Sequence, residues 1–589
     1  MESASHATRL DIVTRPIWFA PLLLGLAATL SYVYADRNMP IADEGALLTA
    51  AVKILHGGVF YRDVDAYAFP GVSYLLAGAM SIFGEHLSVA RALSGSFFCI
   101  VVVGIYSCAL TIVDQKRAAL CGLSLLSLKF FAFPIYTVYF YADASMAAAI
   151  VALSLFLRHR FDGPGWRLVG VGLLTGLSIT TKQPTGIYLA LAFGVVLAFP
   201  AFAHGPRRRP ARLREIAAFA FGLFVIVGGA SAYFASQGLF VDMFRGALLR
   251  PFTGYLPTGG VSFLPPLEWW NLGELKSGGT TYFSQLYIEL VLATTEPIRS
   301  IRNFHLGIGE IISRLFYTAI PLVFGACAWL WLRDSRALRV SASDDSNSSD
   351  AGDETEEDTL ARARFYSAAG ACLAITVSAF PRADFIHIIT IYPAIALMLF
   401  ALGRPESLGR RGSPSPPAES RPQQRRTRVE AVFVSLLLIG TSFLALRHDA
   451  TLSHRISMER ADLWVKGNDV WLERLIRQVR EEVPEGEPFF VYGHEAHWYF
   501  LADRYTPRRF SQLYPGMTGD ETGELLAELI RESQPRLIAQ GVLRWPGMPD
   551  VPGYTRKLKR AIRHRYQLDE EAIEDPPDPR LLRIWRLRE

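Results

Sequence analysis

Charged residues and cysteines are both scarce in this chain of 589 residues. Asp, Glu, Lys and Arg make up only 20% of it, against about a quarter in an ordinary soluble domain. The basic excess, 60 Lys and Arg against 55 Asp and Glu, is too small for a nucleic-acid-binding surface. The five cysteines all lie in apolar runs, where a thiol behaves as a small hydrophobic group. The sequence therefore indicates no nucleic-acid partner, no disulfide framework and no zinc site.

Apolar residues are abundant instead. They make up 51% of the chain, and the mean hydropathy is +0.22, which is typical of a membrane protein. The runs long enough to cross the hydrocarbon are 17–35, 88–112, 118–135, 142–157, 168–181, 184–202, 215–236, 308–332, 364–380, 385–402 and 429–446. These runs predict a mainly α protein, a polytopic membrane helix bundle of about 11 spans. A shorter run at 71–83 predicts a half-buried or surface helix.

The first run resembles a signal peptide, because Arg9 and Arg15 precede an apolar core. No small-x-small cleavage site follows it, so we expect a permanent anchor. Lys and Arg of the short loops fall on one side of the counted spans, which predicts that this side is cytoplasmic. The basic groups are Lys116 with Arg117, 158–167, 207–214, 333–339 and 404–428.

The opposite face is expected to be extracytoplasmic or periplasmic, with the protein in the inner (plasma) membrane. It receives an outer loop at 36–87, a second at 237–307, and everything after 447. Residues 1–446 thus form a membrane module. Its acidic, Ser-rich loop 341–358 and its Pro-, Ser- and Arg-rich loop 405–428 predict disordered inner segments.

Residues 447–589 change character and predict an extracytoplasmic α/β domain. Amphipathic patterns at 461–482 and 520–533 favour helices, while 488–493, 536–541 and 582–587 favour strands. We find neither an internal repeat nor the inverted hydropathy symmetry that marks many transporters.

Two adjacent carboxylates, Asp43 and Glu44, directly follow the first span and begin an amphipathic helix. One interpretation is that they cap this helix, where free N–H groups and the helix dipole favour anions. The other is that Asp43 is a general base, because a carboxylate near a water-poor boundary has a raised pKa and accepts a proton from an attacking hydroxyl or amine. The two interpretations are compatible.

Asp63 and Asp65 form a DxD spacing in the same outer loop. In an extended segment this spacing puts both carboxylates on one side, where they can hold a divalent ion or a sugar hydroxyl. The alternative is a solvated loop, since such triplets arise by chance. Tyr61 and Arg62 beside them place further polar groups next to the apolar run that starts at Gly71.

Near the outer end of the tenth run stand Arg382, Asp384 and His387, which are costly to bury at a membrane boundary and often face a cavity. The planar fork of Arg382 matches a lipid phosphate. The alternative is a structural pair of Arg382 with Asp384, with His387 bonded to a neighbouring helix. Lys182, at another outward turn, either binds phosphate as well or extends to lipid headgroups.

The order of these features resembles the GT-C superfamily of polytopic, lipid-linked-sugar-dependent glycosyltransferases, especially its protein O-mannosyltransferase and aminoarabinose transferase branch. The resemblance covers most of the chain but is dense only at 36–95. Its matching pieces are Asp43-Glu44, 57–63 followed by Pro70 and a helix ending Phe83-Gly84, Ala90-Arg91, Gly176-Leu177 to Lys182, 382–387, Tyr492-Gly493 and 498–504.

The resemblance implies that Asp43, with Glu44 beside it, is the catalytic acidic motif of the first outer loop. It implies a polyprenyl-phosphate sugar donor, membrane lipid around the site, and a glycan, lipid or protein acceptor. A base on one face of the sugar and cations on the other, namely Lys182, Arg382 and Arg91 behind them, suit in-line displacement. No cofactor is implied, and a divalent cation stays an option.

Two other classes of function remain open. A transporter or flippase of lipid-linked sugars would place ionisable residues at the middle of its spans, whereas here they lie at outer ends. A non-catalytic scaffold or sensor built around the C-terminal domain predicts that Asp43, Arg382 and His387 tolerate substitution.

Overall fold

The computed structural model describes thirteen stretches of the chain. They are residues 15–65, 68–159, 165–199, 209–277, 281–284, 286–288, 299–344, 356–403, 421–506, 509–513, 520–541, 551–569 and 582–588.

Each of the eleven apolar runs predicted from the sequence is occupied by a helix. These helices are α1 (Pro16–Tyr34), α4 (Leu87–Ala109), α5 (Gln115–Phe131), α6 (Tyr141–Leu157), α7 (Trp166–Thr181), α8 (Gln183–Ala198), α9 (Arg209–Ser236), α13 (Arg299–Asp344), α14 (Glu356–Val377), α15 (Phe385–Ala401) and α16 (Arg421–Asp449). Among the described residues, α1, α4, α9, α13 and α16 contain segments long and apolar enough to cross a membrane. Helices α6, α8 and α15 are apolar but shorter, so the number of spans stays a prediction.

The outer loop 36–87 holds two further helices, α2 (Ala42–Leu55) and α3 (Gly71–Phe83). Helix α3 is the short helix predicted at 71–83, with Val72, Leu76 and Met80 buried and Ile82 and Phe83 exposed. The second outer loop begins with α10 (Phe240–Phe244), two π-helical turns (Arg245–Leu249 and Pro251–Tyr255), α11 (Leu256–Gly259) and α12 (Glu274–Ser277).

The inner segments are more helical at their edges than the sequence predicts. Helix α13 continues to Asp344, α14 begins at Glu356 and α16 begins at Arg421, so 341–344, 356–358 and 421–428 are not loop. Extending an existing helix is far easier than nucleating one, which lets polar residues continue it. The centres of both predicted disordered loops, 345–355 and 404–420, lie outside the described residues.

The C-terminal part is the predicted α/β domain, so the fold class is confirmed. A hairpin of β1 (His454–Met458) and β2 (Ala461–Val465) precedes a four-stranded sheet of order β3-β4-β6-β5. Strand β4 pairs in parallel with β3 and antiparallel with β6, and β6 pairs antiparallel with β5. The strands are β3 (Phe490–Val491), β4 (Leu537–Gly541), β5 (Tyr566–Asp569) and β6 (Leu582–Leu587); the helices are α17 (Trp471–Glu482), α18 (His497–Ala502), α19 (Asp520–Ser533), α20 (Val551–Tyr554) and α21 (Arg556–Arg565).

The prediction of a helix over 461–482 is wrong in its first part. Ala461, Leu463 and Val465 are buried in alternation, as in a strand, and only 471–482 is helical. The mixed pattern arises because a strand with one buried face is followed, after a short 3-10 turn at Gly467–Asp469, by an amphipathic helix.

Candidate active site

One cavity of about 170 Å³ collects most of the polar residues predicted from the sequence. Asp43, Asp65, Lys182, Arg382 and His387 all line it. Its other walls are largely apolar and come from the outer loop 36–87, the first turns of α6 and α8, the segment before α15, and the C-terminal domain. We call it the main cavity. It brings together residues that lie more than 300 positions apart in the sequence.

Asp43 lies in the first turn of α2, but it does not cap that helix. The N-cap residue is Ile41, and no side chain caps the helix. Among the described residues, none forms a hydrogen bond or ion pair with the Asp43 carboxylate. Burial raises the pKa of Asp43 above its ordinary value, and the neighbouring His387 and Arg382 offset this only in part. This is the environment that a general base requires.

Asp384 differs from Asp43 in that both oxygens of its carboxylate have hydrogen-bond partners. One oxygen accepts hydrogen bonds from the His387 amide at 3.0 Å and pairs with His387 Nδ1 at 2.5 Å, while the other accepts from Arg382 Nε. Burial alone would raise the pKa of Asp384, but His387 and Arg382 outweigh burial and hold that pKa at about 2. Asp384 therefore stays ionised, and it orients the two cavity-lining side chains as well as capping α15.

Arg382 thus forms the ion pair with Asp384 that the sequence suggested, and it also lines the main cavity. Its Nη1 also donates to the Gly259 carbonyl at 3.3 Å, and its backbone bridges to Val261. His387 Nε2 lies 3.5 Å from the Tyr141 hydroxyl of α6. Lys182, at the junction of α7 and α8, is only 7% exposed and lines the same cavity.

Glu44 lies away from the cavity. Its carboxylate accepts from the Tyr139 amide at 2.9 Å and from Arg91 Nε and Nη2 at 3.3 and 3.2 Å. Arg91 also donates to the carbonyls of Ala35, Arg37 and Asn38, and both side chains are fully buried. This buried pair ties the end of α1 to α2 and α4, so in the structure Glu44 and Arg91 position the turn that carries Asp43.

Asp63 and Asp65 do not act as a pair, because the DxD segment is a turn and not an extended strand. Tyr61 has a positive φ of 69°, and the Asp63 amide donates back to the Val59 carbonyl at 2.8 Å. The Asp63 carboxylate accepts from the Val59 amide at 2.6 Å and lies outside the main cavity. Asp65 lines the cavity and pairs with Arg250 at 2.6 Å.

Two buried ionisable residues, Asp143 and Lys129, were not predicted as part of the site, because the sequence places most ionisable residues at the ends of the spans. Asp143 in α6 is 1% exposed, and neither of its oxygens has a hydrogen-bond partner among the described residues. It interacts electrostatically with Lys129 of α5 and with Lys182. Both residues could have been found from the sequence, because each is an ionisable residue within an apolar run. Burying such a residue in a membrane span costs free energy, so those that occur there are commonly functional.

No protein-family model matches the chain, and no curated protein matches it. Solved structures are similar over most of its length. ArnT from Cupriavidus metallidurans, bound to undecaprenyl phosphate, is 12% identical with a TM-score of 0.47, over 97% of this chain and 98% of that one.

The oligosaccharyltransferase of Archaeoglobus fulgidus in its apo form is 13% identical with a TM-score of 0.46, over 90% of this chain and 70% of that one. The archaeal oligosaccharyltransferase AglB from the same organism, with an inhibitory peptide and a dolichol-phosphate, is 12% identical with a TM-score of 0.45, over 94% and 73%.

Proposed function

We propose that this protein is an integral membrane glycosyltransferase that moves a sugar from a polyprenyl-phosphate donor to an extracytoplasmic acceptor. The observation that carries the proposal is the main cavity. Asp43, whose carboxylate has no hydrogen-bond or ion-pair partner among the described residues, lines this cavity together with the cations Lys182 and Arg382, beside the sequence segments predicted to cross the membrane.

The proposed chemistry is a single in-line displacement. An acceptor hydroxyl or amine attacks the anomeric carbon, Asp43 takes its proton, and the bond from that carbon to the donor phosphate oxygen breaks. The leaving polyprenyl phosphate carries the negative charge away. Lys182 and Arg382 stabilise this charge, and Asp384 keeps Arg382 and His387 in place for it.

Glu44 and Arg91 act in this proposal as positioning residues, and Asp63 shapes the loop that leads to Asp65. The acceptor is a glycan, lipid or protein of the cell envelope. We place the protein in the inner (plasma) membrane with residues 447–589 on the extracytoplasmic side, because the basic loops indicate that orientation. The proposal requires no metal; if a divalent cation takes part, Asp43 and Asp65 are the carboxylates on the cavity wall that can approach it.

The test compares cell-envelope glycans, lipids and glycoproteins by mass spectrometry in cells that lack the protein and in cells complemented with wild type, Asp43→Asn or Asp462→Asn. Asn keeps the size of Asp but cannot take a proton, so we expect Asp43→Asn to match the deletion at normal expression. Asp462 is a partly exposed carboxylate of β2 outside the main cavity, and it serves as the matched control. A product level of a tenth or more in Asp43→Asn, about 1.4 kcal/mol lost, would assign the base elsewhere.

A further inference from the structure

A second cavity adjoins the main cavity and is lined by three arginines. It has a volume of about 380 Å³, and its walls include Arg245, Arg250, Arg509, Asp65 and Asp242. We call it the arginine cavity. Asp65 lines both cavities, so the two cavities meet at this residue.

An unusual helical geometry builds one wall of the arginine cavity. Residues Arg245–Leu249 form a π-helical turn, in which the Arg250 amide donates to the Arg245 carbonyl five residues earlier. Two arginines at this spacing therefore lie on one turn of the chain, and both line the cavity. Single π-helical turns are rare and frequently occur at functional sites.

The charges of this cavity are only partly balanced. Arg250 pairs with Asp65 at 2.6 Å. Arg245 and Arg509 form no ion pair with any described residue; Arg245 is exposed, and Arg509 lies over the Phe510 ring with its guanidinium carbon 5.0 Å from the ring centroid. Two guanidinium groups are thus available to an anion, and each presents the planar fork that matches phosphate or carboxylate oxygens.

We propose that the arginine cavity binds a phosphate or carboxylate group of the acceptor and so holds the attacking hydroxyl or amine in the main cavity. This inference rests on the proposed function, since it assigns the second substrate of the same reaction. The proposed function assigns the donor phosphate to Lys182 and Arg382, which line the main cavity and not the arginine cavity. We therefore assign an anion beside Arg245 and Arg509 to the second substrate.

The test uses the purified full chain in phosphatidylcholine nanodiscs, with inorganic phosphate as the probe. Phenylglyoxal modifies accessible guanidinium groups, and peptide mass spectrometry measures the rate at each arginine separately. We expect saturating phosphate to slow modification of Arg245 and Arg509 by about tenfold, as bidentate contacts would. Arg477, an exposed arginine of α17 outside both cavities, is the control whose rate should not change. Arg245→Gln should remove the protection of Arg509.

Equal rates at Arg245 and Arg509 with and without phosphate would overturn the assignment. Protection that appears only in nanodiscs containing phosphatidylglycerol, and not with inorganic phosphate, would also overturn it, since the occupant would be a lipid headgroup. Hydrolysis of a polyprenyl-phosphate sugar by the wild-type protein, in which water attacks the anomeric carbon in place of the acceptor and polyprenyl phosphate leaves, tests the proposed function separately. A protein that releases sugar but shows no protection retains that function and lacks this subsite.

Discussion

Gly45 of α2 packs directly on the backbone of His497 in the C-terminal domain. A Cβ atom at position 45 would lie 2.2 Å from the His497 amide nitrogen and 2.6 Å from its Cα. One turn further along α2, the Thr49 hydroxyl donates to the Ala496 carbonyl at 3.0 Å. The helix that carries Asp43 therefore packs against the C-terminal domain, so under the proposed function this domain helps to position Asp43.

Substituting Gly45 by Ala should separate α2 from the C-terminal domain. The added methyl group would collide with backbone atoms of His497, which cannot rotate away as a side chain can. Overpacking of this kind lowers the free energy of unfolding by about 1–3 kcal/mol or more. We expect a lower melting temperature in detergent and a loss of transfer through displacement of Asp43. Gly78→Ala in α3 is the matched control, because a Cβ there meets nothing within 4 Å. Equal melting and activity of the two variants would contradict the docking role.

Glu44→Gln should lower stability, unlike Asp43→Asn. The substitution leaves the buried Arg91 without its partner charge, and breaking a buried pair in this way typically costs about 3–5 kcal/mol. Detergent melting of the two variants measures the contrast. If Glu44→Gln melts like wild type and yet loses activity, Glu44 takes part in the chemistry and is not a positioning residue.

How far the sequence predicts this site differs from residue to residue. Hydropathy located Asp43, Lys182, Arg382 and His387 at or near the ends of apolar runs, and in the structure all four line the main cavity. Hydropathy could not distinguish Asp43 from Glu44, because adjacent residues of a helix have the same surroundings in the sequence and differ only in where their side chains point. The contacts of Glu44 with α4 and Tyr139 leave Asp43 as the residue that faces the cavity. The fold followed from run lengths, whereas 461–465 was misassigned because local periodicity is ambiguous where a strand meets a helix.

The orientation of the protein can be tested with single cysteines. Ser453 is exposed just after α16, so Ser453→Cys should react with a membrane-impermeant maleimide added to intact spheroplasts. Arg158→Cys, at the exposed end of α6, should react only after lysis. The native protein is the background control, since its cysteines lie within helices and four of them are buried. The reverse pattern would mean that the predicted orientation is inverted.

The pH dependence of transfer should report Asp43. A general base acts when it is deprotonated. The transfer rate should therefore be low at pH values below the Asp43 pKa and should rise as the pH increases through that pKa. Because burial raises that pKa above its ordinary value, the midpoint of the acidic limb should lie above about 3.9, the usual pKa of an Asp side chain. Asp384, with its pKa held at about 2, stays ionised across this range and cannot produce the limb. The measurement is the initial rate at saturating donor, with melting followed at each pH. A rate that does not change down to a pH of about 3.9, the ordinary Asp pKa, would exclude Asp43 as the base.

The last prediction separates the two possible roles of Arg382. If the residue binds the donor phosphate, Arg382→Lys keeps the charge but loses the planar fork, so transfer should fall clearly for Lys and further for Ala, with a raised KM for donor. If Arg382 only neutralises Asp384, Arg382→Ala should destabilise the protein, and adding Asp384→Ala should restore much of the melting temperature. The contacts favour both roles together, because Arg382 pairs with Asp384 and also lines the cavity. We therefore expect the double variant to regain stability without regaining transfer, and recovery of both would reduce Arg382 to a structural partner.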